Sequence, residues 1–336
     1  MSLITIFIPV YNGEAYLKKT IDSIILQSFR DFEVLFVDDG STDSSVSILE
    51  NAAKKDDRIK IFKKNNEGSV PYSWNFLLKK GYLNSPWTLY MSQDDLLHPN
   101  LLEKLIRTQR NTEADAIIPS CHFFSEEIDN KTFLNLNKAN DMTSRAASGC
   151  ISGHYAFELM FDYTIPGFAL WNTNIIKRLG MPTEAFNSDE GMQRIWILNC
   201  KKVAFESTPF YYRQRKNSIG SGIGIHHFYS VLTEMKLLSV AKQEKIDANK
   251  IYKAQYKSLF WTLWLSCYMN CNKHLFSKEK ANEISKILDN SYNFFIKDLP
   301  KPKNIKHLIL WLATKNKIAH CTYHYFYSRH LQHIYS

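Results

Sequence analysis

The stretch FEVLFVDDGSTDSS, residues 32–45, passes from strand-forming residues to two adjacent acids and then to turn-forming residues. Its first half is short and rich in branched and aromatic side chains, which is typical of a strand buried in a sheet. Gly40 permits a tight turn, and the Ser, Thr and Asp that follow it can each cap the next helix. The stretch therefore predicts a buried strand that ends in Asp38 and Asp39 and leads into a helix.

Strand-like stretches alternate with helix-like stretches along the first 120 residues. Apolar residues between the strands recur at helical spacing, as at Leu17, Ile21 and Ile24. Strands joined by single helices with right-handed crossovers form a mostly parallel sheet with helices on both faces, so we expect an α/β fold. The predicted strands are ITIFIPV (4–10), FEVLFVDD (32–39), RIKIFKK (58–64), WTLYMSQ (87–93) and ADAIIPS (114–120).

Polar residues follow three of these strands at their carboxyl ends. The first strand ends in Pro9-Val10-Tyr11-Asn12-Gly13, the second in its two acids, and the fourth in Ser92-Gln93-Asp94-Asp95. Turns and helix caps explain each tip taken alone. Because parallel strands point the same way, the three tips should meet in one crevice, where sheets of this kind bind ligands. Their coincidence favours a binding site that holds acids from two strands.

Asp94 and Asp95 stand side by side at the end of a predicted core strand, shortly before Pro99, which suits the first turn of a helix. Neighbouring carboxylates repel each other and raise each other's pKa, so both stay ionised only where a positive group faces them. The sequence therefore predicts a cationic partner at this tip.

The chain of 336 residues is 45% hydrophobic and 22% charged, which provides a core for one large domain or two. Met1 leads directly into a strand-like stretch, so we expect a cytoplasmic protein rather than a secreted one. The apolar run at 259–269 is far shorter than the roughly 20 residues of a spanning helix. The six cysteines are scattered, and we predict neither disulfides nor a zinc site.

The net charge of +9 is concentrated towards the end of the chain. Residues 241–336 hold 16 lysines and arginines against 6 acids, and no acid follows Asp298. Basic segments that carry aromatic residues suit an anionic membrane surface or nucleic acid. A solvated helical subdomain explains the pattern equally well. Carboxylates at the predicted crevice argue against nucleic acid as the substrate.

Three stretches taken together resemble the family 2, GT-A fold, inverting glycosyltransferases. They are IPVYNGEAYLKKTIDSIILQSF (8–29), FEVLFVDDGSTDSS (32–45) and DDLLHPN (94–100), in the order and at the spacing that the family uses. The resemblance implies a Rossmann-like GT-A domain at 1–225, with a donor half at 1–120 and an acceptor half at 121–225. A basic, mainly helical region at 226–336 would follow it.

The resemblance also implies roles for the strand tips. Tyr11 would lie against a nucleotide base, and Asp39 would accept a hydrogen bond from the base ring. A diphosphate would reach the fourth tip together with Mg²⁺ or Mn²⁺, which would be the positive partner of Asp94 and Asp95 and would act there as a Lewis acid. The implied donor-binding residues are Pro9, Val10, Tyr11, Asn12, Asp38, Asp39, Ser92, Asp94 and Arg213.

Two positions depart from the family pattern. Ser92 stands where a further acid is usual, so we expect Asp94 to be the principal metal ligand. Trp74 stands where similar enzymes often have an arginine before an asparagine, here Asn75. These departures leave open a catalytically silent sugar-nucleotide or glycan-binding protein. A sugar nucleotidyltransferase is less favoured, because it would need a glycine-rich basic loop that PVYNGEAY lacks.

An inverting transferase needs a carboxylate base near the incoming hydroxyl. FNSDEGMQRIWIL, residues 186–198, lies where the family places that base. Ser188 can cap a helix whose first turn holds Asp189 and Glu190, although the helix macrodipole alone also favours acids there. The resemblance selects Asp189 as the base and Glu190 as the reserve.

A basic stretch follows this helix. Arg213, Arg215 and Lys216 suit contact with a diphosphate, and the glycines that follow, up to Gly224, favour a mobile lid. A basic surface hairpin is the alternative.

These interpretations together predict a metal-dependent inverting transferase. It would move a sugar from a nucleotide diphosphate donor, UDP-linked by family habit, to a hydroxyl of a glycan. The implied acceptor is a lipid-linked intermediate of a bacterial surface polysaccharide. The basic C-terminal region would meet that acceptor at the inner membrane face.

Overall fold

The computed structural model describes residues 2–124, 149–161, 165–185, 187–214 and 224–315. The chain divides into two compact units, residues 1–222 (unit 1) and residues 223–336 (unit 2). Arg215, Lys216 and the predicted lid glycines before Gly224 lie outside the described residues, so their roles stay predictions.

Four parallel strands form the first half of the sheet of unit 1. They are β1 (Ile4–Val10), β2 (Phe32–Asp38), β3 (Ile59–Lys63) and β4 (Trp87–Tyr90). Their order is β3-β2-β1-β4, with Ile4 opposite both Phe32 and Trp87. All three pairings are parallel. The predicted alternation is confirmed, although β4 is shorter than predicted because the chain turns after Met91.

The second half of the sheet mixes directions. Its strands are β5 (Leu96–Leu97), β6 (Ala116–Phe124), β7 (Cys150–Ile151), β8 (Leu170–Asn172) and β9 (Val203–Arg213). β8 pairs antiparallel with β4 and β6, β9 runs parallel to β6, and β5 and β7 pair antiparallel with β9. The nine strands therefore confirm an α/β fold, but this half is mixed rather than mostly parallel.

Seven helices of the described residues cover the sheet. They are α1 (Leu17–Ile25), α2 (Ser45–Ala53), α3 (Val70–Lys80), α4 (Leu101–Thr112), α5 (Gly153–Phe161), α6 (Thr173–Leu179) and α7 (Ser188–Leu198). Leu17, Ile21 and Ile24 of α1 are buried in the same core as β1 and β2, as their spacing predicts.

The start of α4 corrects one expectation. Pro99 does not lie in the first turn, because the helix begins at Leu101 with Asn100 as its N-cap residue. The Pro99 carbonyl instead accepts a hydrogen bond from Ser28 N at 2.9 Å, which ties the segment before α4 to the end of α1.

Unit 2 is helical within the described residues. Its helices are α8 (His227–Gln243), α9 (Ala248–Cys271), α10 (Lys278–Ile296) and α11 (Ile305–Lys315), with a 3₁₀ turn at Lys273–Leu275. Phe228 of α8, Leu265 of α9 and Ile284 of α10 share one buried core. In the part of the chain that is described, none of the helices combines the length and apolar character needed to cross a membrane.

Candidate functional site

The carboxyl ends of β1, β2 and β4 meet at one cavity of about 510 Å³. They converge because these strands are parallel neighbours in the order β2-β1-β4. That order puts two strand spacings, about 10 Å, between the β2 and β4 tips. The predicted residues that line the cavity are Pro9, Val10, Tyr11, Asn12, Asp39, Ser92 and Asp94.

Side chains of one tip hold the backbone of the next. Gln93 Nε2 donates to the Tyr11 carbonyl and Gln93 Oε1 accepts from Tyr11 N, each at 3.0 Å. Asn12, at a left-handed φ of +47°, accepts from Thr42 N at 2.8 Å. A Cβ added at Gly13 would come within 2.5 Å of Gln93 Oε1, so a larger residue there would displace the Gln93 side chain that bonds Tyr11. The rim of the cavity is thus held by bonds between its own loops.

Asp39 lies on the cavity wall and is held from behind by a lysine. Its Oδ1 accepts from Lys64 Nζ, and also from Glu67 N at 3.0 Å. Lys64 is buried except for 7% of its side chain, and it pairs with the Glu67 carboxylate at 2.7 Å. Both bonds to Asp39 use the same oxygen, so within the described residues Oδ2 remains for a ligand.

Asp38 does not line the cavity. Its Oδ2 accepts from Ser41 N at 3.2 Å and so supports the turn at Gly40, whose φ is +74°. A Cβ at Gly40 would lie 3.0 Å from Asn66 N, which brings the β2 and β3 loops close together. The predicted place of Asp38 among the donor-binding residues stays a prediction, and its observed bond is to the loop beside Asp39.

Asp94 and Asp95 face different surroundings. Asp94 lines the cavity, whereas Asp95 is buried, with Oδ2 accepting from Ser92 N and Oδ1 from Arg213 N, each at 3.1 Å. Burial, followed by the charge of Asp94, raises the pKa of Asp95 well above its usual range. A raised pKa at Asp95 lessens the repulsion between the two acids. The cavity wall therefore carries one carboxylate of the pair rather than two.

Arg213 lies behind this turn. Its Nε donates to the Asp94 carbonyl at 3.0 Å, and its guanidinium carbon lies 4.9 Å from the Tyr16 ring centre and 4.5 Å from that of Phe124. The side chain is buried and is absent from the cavity wall. Its contacts support the turn, and the predicted contact with phosphate stays a prediction.

A cluster of aromatic rings lies behind the cavity wall. Trp74 is fully buried, with its ring centre 4.5 Å from Phe7, 5.6 Å from Tyr90 and 5.3 Å from Trp196. Tyr90 lines the cavity, so the cluster reaches the site through this ring. Trp74 therefore packs the core where an arginine of similar enzymes would carry charge.

Asp189 lies in the first turn of α7, beside Tyr90 of the cavity wall. The Tyr90 hydroxyl donates to Asp189 Oδ2 at 3.4 Å. Burial, and then the charge of Glu190, raise the pKa of Asp189 to about 6. Burial also raises the pKa of Tyr90 well above its ordinary value, so its hydroxyl keeps its proton. A carboxylate of this pKa is mostly ionised at neutral pH and is a stronger base than an ordinary aspartate.

Glu190 points to a different partner. It is exposed, and its Oε1 pairs with Arg194 at 3.0 Å, one turn further along α7. Ser188 begins the helix instead of capping it, because Asn187 is the N-cap residue and Ser188 Oγ accepts from Ala185 N at 3.1 Å. Of the two predicted acids, Asp189 is the one in contact with a residue of the cavity wall.

The loop between β3 and α3 also lines the cavity, which the sequence interpretation missed. Its asparagine, glycine and serine residues have the composition of an ordinary turn. The parallel order places the β3 tip beside the β2 tip, and that topology is the signal that could have included it. The additional lining residues, from this loop, α3, β4 and the turn after β4, are Asn66, Gly68, Ser69, Val70, Ser73, Tyr90 and Gln93.

The cavity offers limited protein ligands for a metal. Within the described residues, no group of three or more His, Cys, Asp or Glu side chains is placed to hold an ion. Asp94 supplies a carboxylate to the wall near the turn after β4. Mg²⁺ usually keeps one or two protein carboxylates and takes its other oxygens from substrate phosphate and water, and one carboxylate fits that mode.

Residues 5–165 match the family model described as glycosyl transferase family 2. Residues 5–165 therefore belong to glycosyl transferase family 2. The matched residues include the strand tips at β1, β2 and β4, so the predicted resemblance is confirmed over the region that forms the cavity.

Curated relatives that match shorter or longer spans of the chain are named glycosyltransferases. Glycosyltransferase GlyG of Streptococcus pneumoniae serotype 4 is 24% identical over 221 residues, which are 65% of this chain and 72% of that protein. An uncharacterized glycosyltransferase of Haemophilus influenzae is 36% identical over 104 residues, 31% of this chain and 41% of the relative. The chain spans less than half the length of several other relatives.

Solved structures share the fold. S. aureus TarS 1-349 in complex with UDP-GlcNAc superimposes with a TM-score of 0.67 at 15% identity, covering 98% of this chain and 92% of that one. The mannosyltransferase PcManGT from Pyrobaculum calidifontis, in complex with GDP-Man and Mn²⁺, gives a TM-score of 0.50 at 12% identity, covering 88% and 84%. At these identities the likeness establishes the GT-A-type fold.

Proposed function

We propose that this glycosyltransferase uses a UDP-sugar and transfers the sugar, with inversion, to a hydroxyl of a glycan. One observation carries the proposal: Asp39, Asp94 and Tyr90 line a single cavity, and Tyr90 contacts Asp189. In this proposal Asp39 accepts a hydrogen bond from the nucleobase, and Asp94 supplies a carboxylate at the diphosphate end. Asp189, beside Tyr90, is the general base with a raised pKa.

Asp39 supports recognition of a base with a ring N–H. Its Oδ1 is held by Lys64 and Glu67 N, and Oδ2 is left to accept from the imide N–H of uracil. Cytosine has a ring acceptor at that position and would face a carboxylate with no proton to share. Binding of UDP-GlcNAc by the structurally similar TarS is consistent with this choice.

Asp94 would hold the divalent ion that accompanies the diphosphate. A single protein carboxylate suits Mg²⁺ or Mn²⁺ that keeps phosphate and water oxygens. When bound, the ion would neutralise charge on the leaving diphosphate. Asp95 and Arg213 would contribute by fixing the turn that presents Asp94.

Asp189 would take the proton of the attacking hydroxyl. Inversion requires the hydroxyl to attack the anomeric carbon opposite the leaving diphosphate, and a carboxylate of pKa about 6 can accept its proton at neutral pH. The Tyr90 hydroxyl, donating to Asp189 Oδ2, orients that carboxylate. Glu190 remains paired with Arg194.

We extend the proposal to the acceptor, a lipid-linked intermediate of a surface polysaccharide at the inner membrane face. The excess of lysine and arginine after residue 240 supports it, since anionic lipid attracts basic segments.

A catalytically silent sugar-nucleotide-binding protein is the second candidate. The inward position of Asp95 and the serine at 92 favour it, because both reduce the carboxylates available at the cavity. This candidate predicts donor binding without turnover.

A thermal-shift series followed by a turnover assay tests both. UDP, GDP and CDP are each added with and without Mn²⁺, and we expect UDP with Mn²⁺ to raise the melting temperature most, since a ligand bound only by the folded chain stabilises it. No shift with any nucleotide would overturn the donor proposal. Release of UDP from UDP-sugars by the native chain, lost in Asp189→Asn with UDP binding retained, would exclude the silent protein.

A further inference from the structure

Helix α11 turns an apolar stripe away from the helices it packs on. Exposed fractions are 73% for Ile305, 41% for Leu308, 44% for Ile309 and 49% for Leu312. At 3.6 residues per turn these four positions fall within an arc of about 100°. A surface helix of a globular protein usually buries such a stripe in the core.

The opposite side of α11 is fixed by specific contacts. His307 stacks on Tyr256 of α9 with ring centres 4.3 Å apart, and its Nδ1 lies 2.6 Å from the Tyr252 hydroxyl. Leu310, on the same side, is buried. Asn304 Oδ1 accepts from His307 N at 2.9 Å and holds the first turn. The outward position of the stripe therefore follows from the packing of the helix within unit 2.

The charged residues along α11 and in the segment from residue 299 that leads into it are all basic. Lys301 and Lys306 are exposed at the start of α11 and on its flank. From residue 299 to the end, the sequence contains six lysines and arginines and no acid. An outward apolar stripe bordered by lysines is the pattern of helices that lie in the interface of an anionic bilayer.

We propose that the outer face of α11 docks on an anionic lipid surface. The aliphatic side chains would enter the boundary between headgroups and acyl chains, and the lysines would meet lipid phosphates. A second copy of this face would bring lysines against lysines, and residues 316–336 would bring further cations. Anionic lipid satisfies the apolar stripe and the charge together.

This inference deepens the proposed membrane location and does not depend on sugar transfer. Vesicle binding is measured without any donor nucleotide. Its failure is therefore distinguishable from a failure of UDP binding, which the thermal-shift series reports.

The test is co-sedimentation of the full chain with phosphatidylcholine vesicles that contain or lack phosphatidylglycerol. We expect binding to the phosphatidylglycerol vesicles, weakened by added salt. Leu308→Gln with Leu312→Gln should reduce that binding at least tenfold. The control, Leu26→Gln with Leu275→Gln, removes two leucines elsewhere that are more exposed than Leu308 and Leu312, and it should bind as the native chain does.

A second variant tests the charge. Lys301→Gln with Lys306→Gln should lose most of the preference for phosphatidylglycerol. All four substituted positions of α11 and its approach are exposed, so melting temperatures should stay close to that of the native chain.

Three outcomes would overturn the proposal. One is a full chain that binds neither kind of vesicle, as it would if residues 316–336 covered the stripe. Another is an equal loss of binding in the control. The third is self-association in the absence of vesicles that the Leu308→Gln, Leu312→Gln variant abolishes, which would identify a second copy as the occupant.

Discussion

The turn after β4 and the start of α7 each place two acids next to each other, and each divides them in the same way. In the turn, Asp94 lines the cavity while Asp95 bonds the backbone of Ser92 and Arg213. At α7, Asp189 contacts Tyr90 of the cavity wall while Glu190 pairs with Arg194. In each pair one carboxylate lines the cavity or contacts its wall, and its neighbour bonds to other parts of the fold.

The two pairs differ in which of their acids is more deeply buried. Asp95, the structural acid of the turn, is fully buried, and burial raises its pKa. At α7 the structural acid, Glu190, is exposed, and Asp189, the site acid, carries the raised pKa. Environment rather than sequence position sets the role of each acid, as expected where titratable neighbours share a site.

The largest expected effect is at Asp189. Asp189→Asn removes the proposed base and should lower kcat by about 10²- to 10⁴-fold, the usual contribution of general base catalysis. The same change should raise the melting temperature at pH 8 and leave it nearly unchanged at pH 4. Turnover and thermal denaturation at both pH values measure this.

The direction of this change in melting temperature follows from the pKa of Asp189. It is raised from 3.8 to about 6 in the fold, so ionisation disfavours the folded chain as pH rises through that range, and the loss is complete above about 6. A neutral asparagine avoids a cost on the order of 3 kcal/mol. For the native chain, kcat/KM should fall about tenfold per pH unit below about 6. A flat profile there would contradict the assignment.

Asp94→Asn should give the next largest effect. Losing the carboxylate at the diphosphate end should lower kcat/KM by about 10²- to 10³-fold, as the loss of one electrostatic contact to a leaving group does. The stimulation by Mn²⁺ should disappear as well. Steady-state kinetics over a Mn²⁺ series measures both, and an unchanged Mn²⁺ response would show that Asp94 is not the metal ligand.

Asp95→Asn should lower the stability of the fold, whereas Asp94→Asn should lower turnover. An amide can accept only one of the two backbone hydrogen bonds and turns a donor towards the other, so we expect a loss of about 1–3 kcal/mol in the free energy of unfolding. Urea denaturation measures it. Equal unfolding free energies for the Asp94 and Asp95 variants would show that Asp95 supports the fold no more than Asp94 does.

Lys64→Met should weaken UDP binding by roughly tenfold, about 1.4 kcal/mol, because Asp39 loses the side chain that holds Oδ1. Lys64→Arg keeps the charge and should recover much of the affinity. CDP is the control, since cytosine offers no ring N–H to Asp39. Calorimetric titration of UDP and CDP separates the two, and an equal loss for both would mean that Lys64 acts generally rather than through base recognition.

Glu190→Gln should have the smallest effect. Glu190 is exposed, and its buried partner Arg194 also donates to the Met160 and Glu190 carbonyls, so losing the carboxylate should cost about 1 kcal/mol. We expect turnover within about threefold of the native value, since 1 kcal/mol is less than one tenfold step. A loss as large as that of Asp189→Asn would move the proposed base to Glu190.

The first half of the sheet was predictable because its signals are local. Branched and aromatic runs fix β1 to β4, and parallel strands bring their tips together whatever the loops contain. The short β8 and the long β9 were missed, since their pairing depends on partners more than 50 residues away in sequence. Sequence patterns carry little information about such long-range pairing.

The sequence predicts which residues lie at the site better than it predicts what each of them contacts there. Tyr11, Asp39 and Asp94 reach the cavity as the strand tips indicate. Nothing in DD distinguishes the acid that faces outward, because that depends on the backbone N–H of Arg213, far along the chain. Lys64 was overlooked for a similar reason. Its hydrogen bond to Asp39 depends on a turn that brings the two side chains together.

The ring cluster behind the cavity gives the molecule an optical consequence. Trp74, Trp196 and Trp171 form a chain of indoles with centres 5.3 and 5.6 Å apart, and Trp74 lies against Tyr90 at the wall. Excitation energy absorbed by any of these three indoles can pass to Trp74, the indole that lies against Tyr90. The intrinsic emission of the protein should therefore change when a nucleotide settles over Tyr90, so the chain carries its own reporter of occupancy without any attached dye.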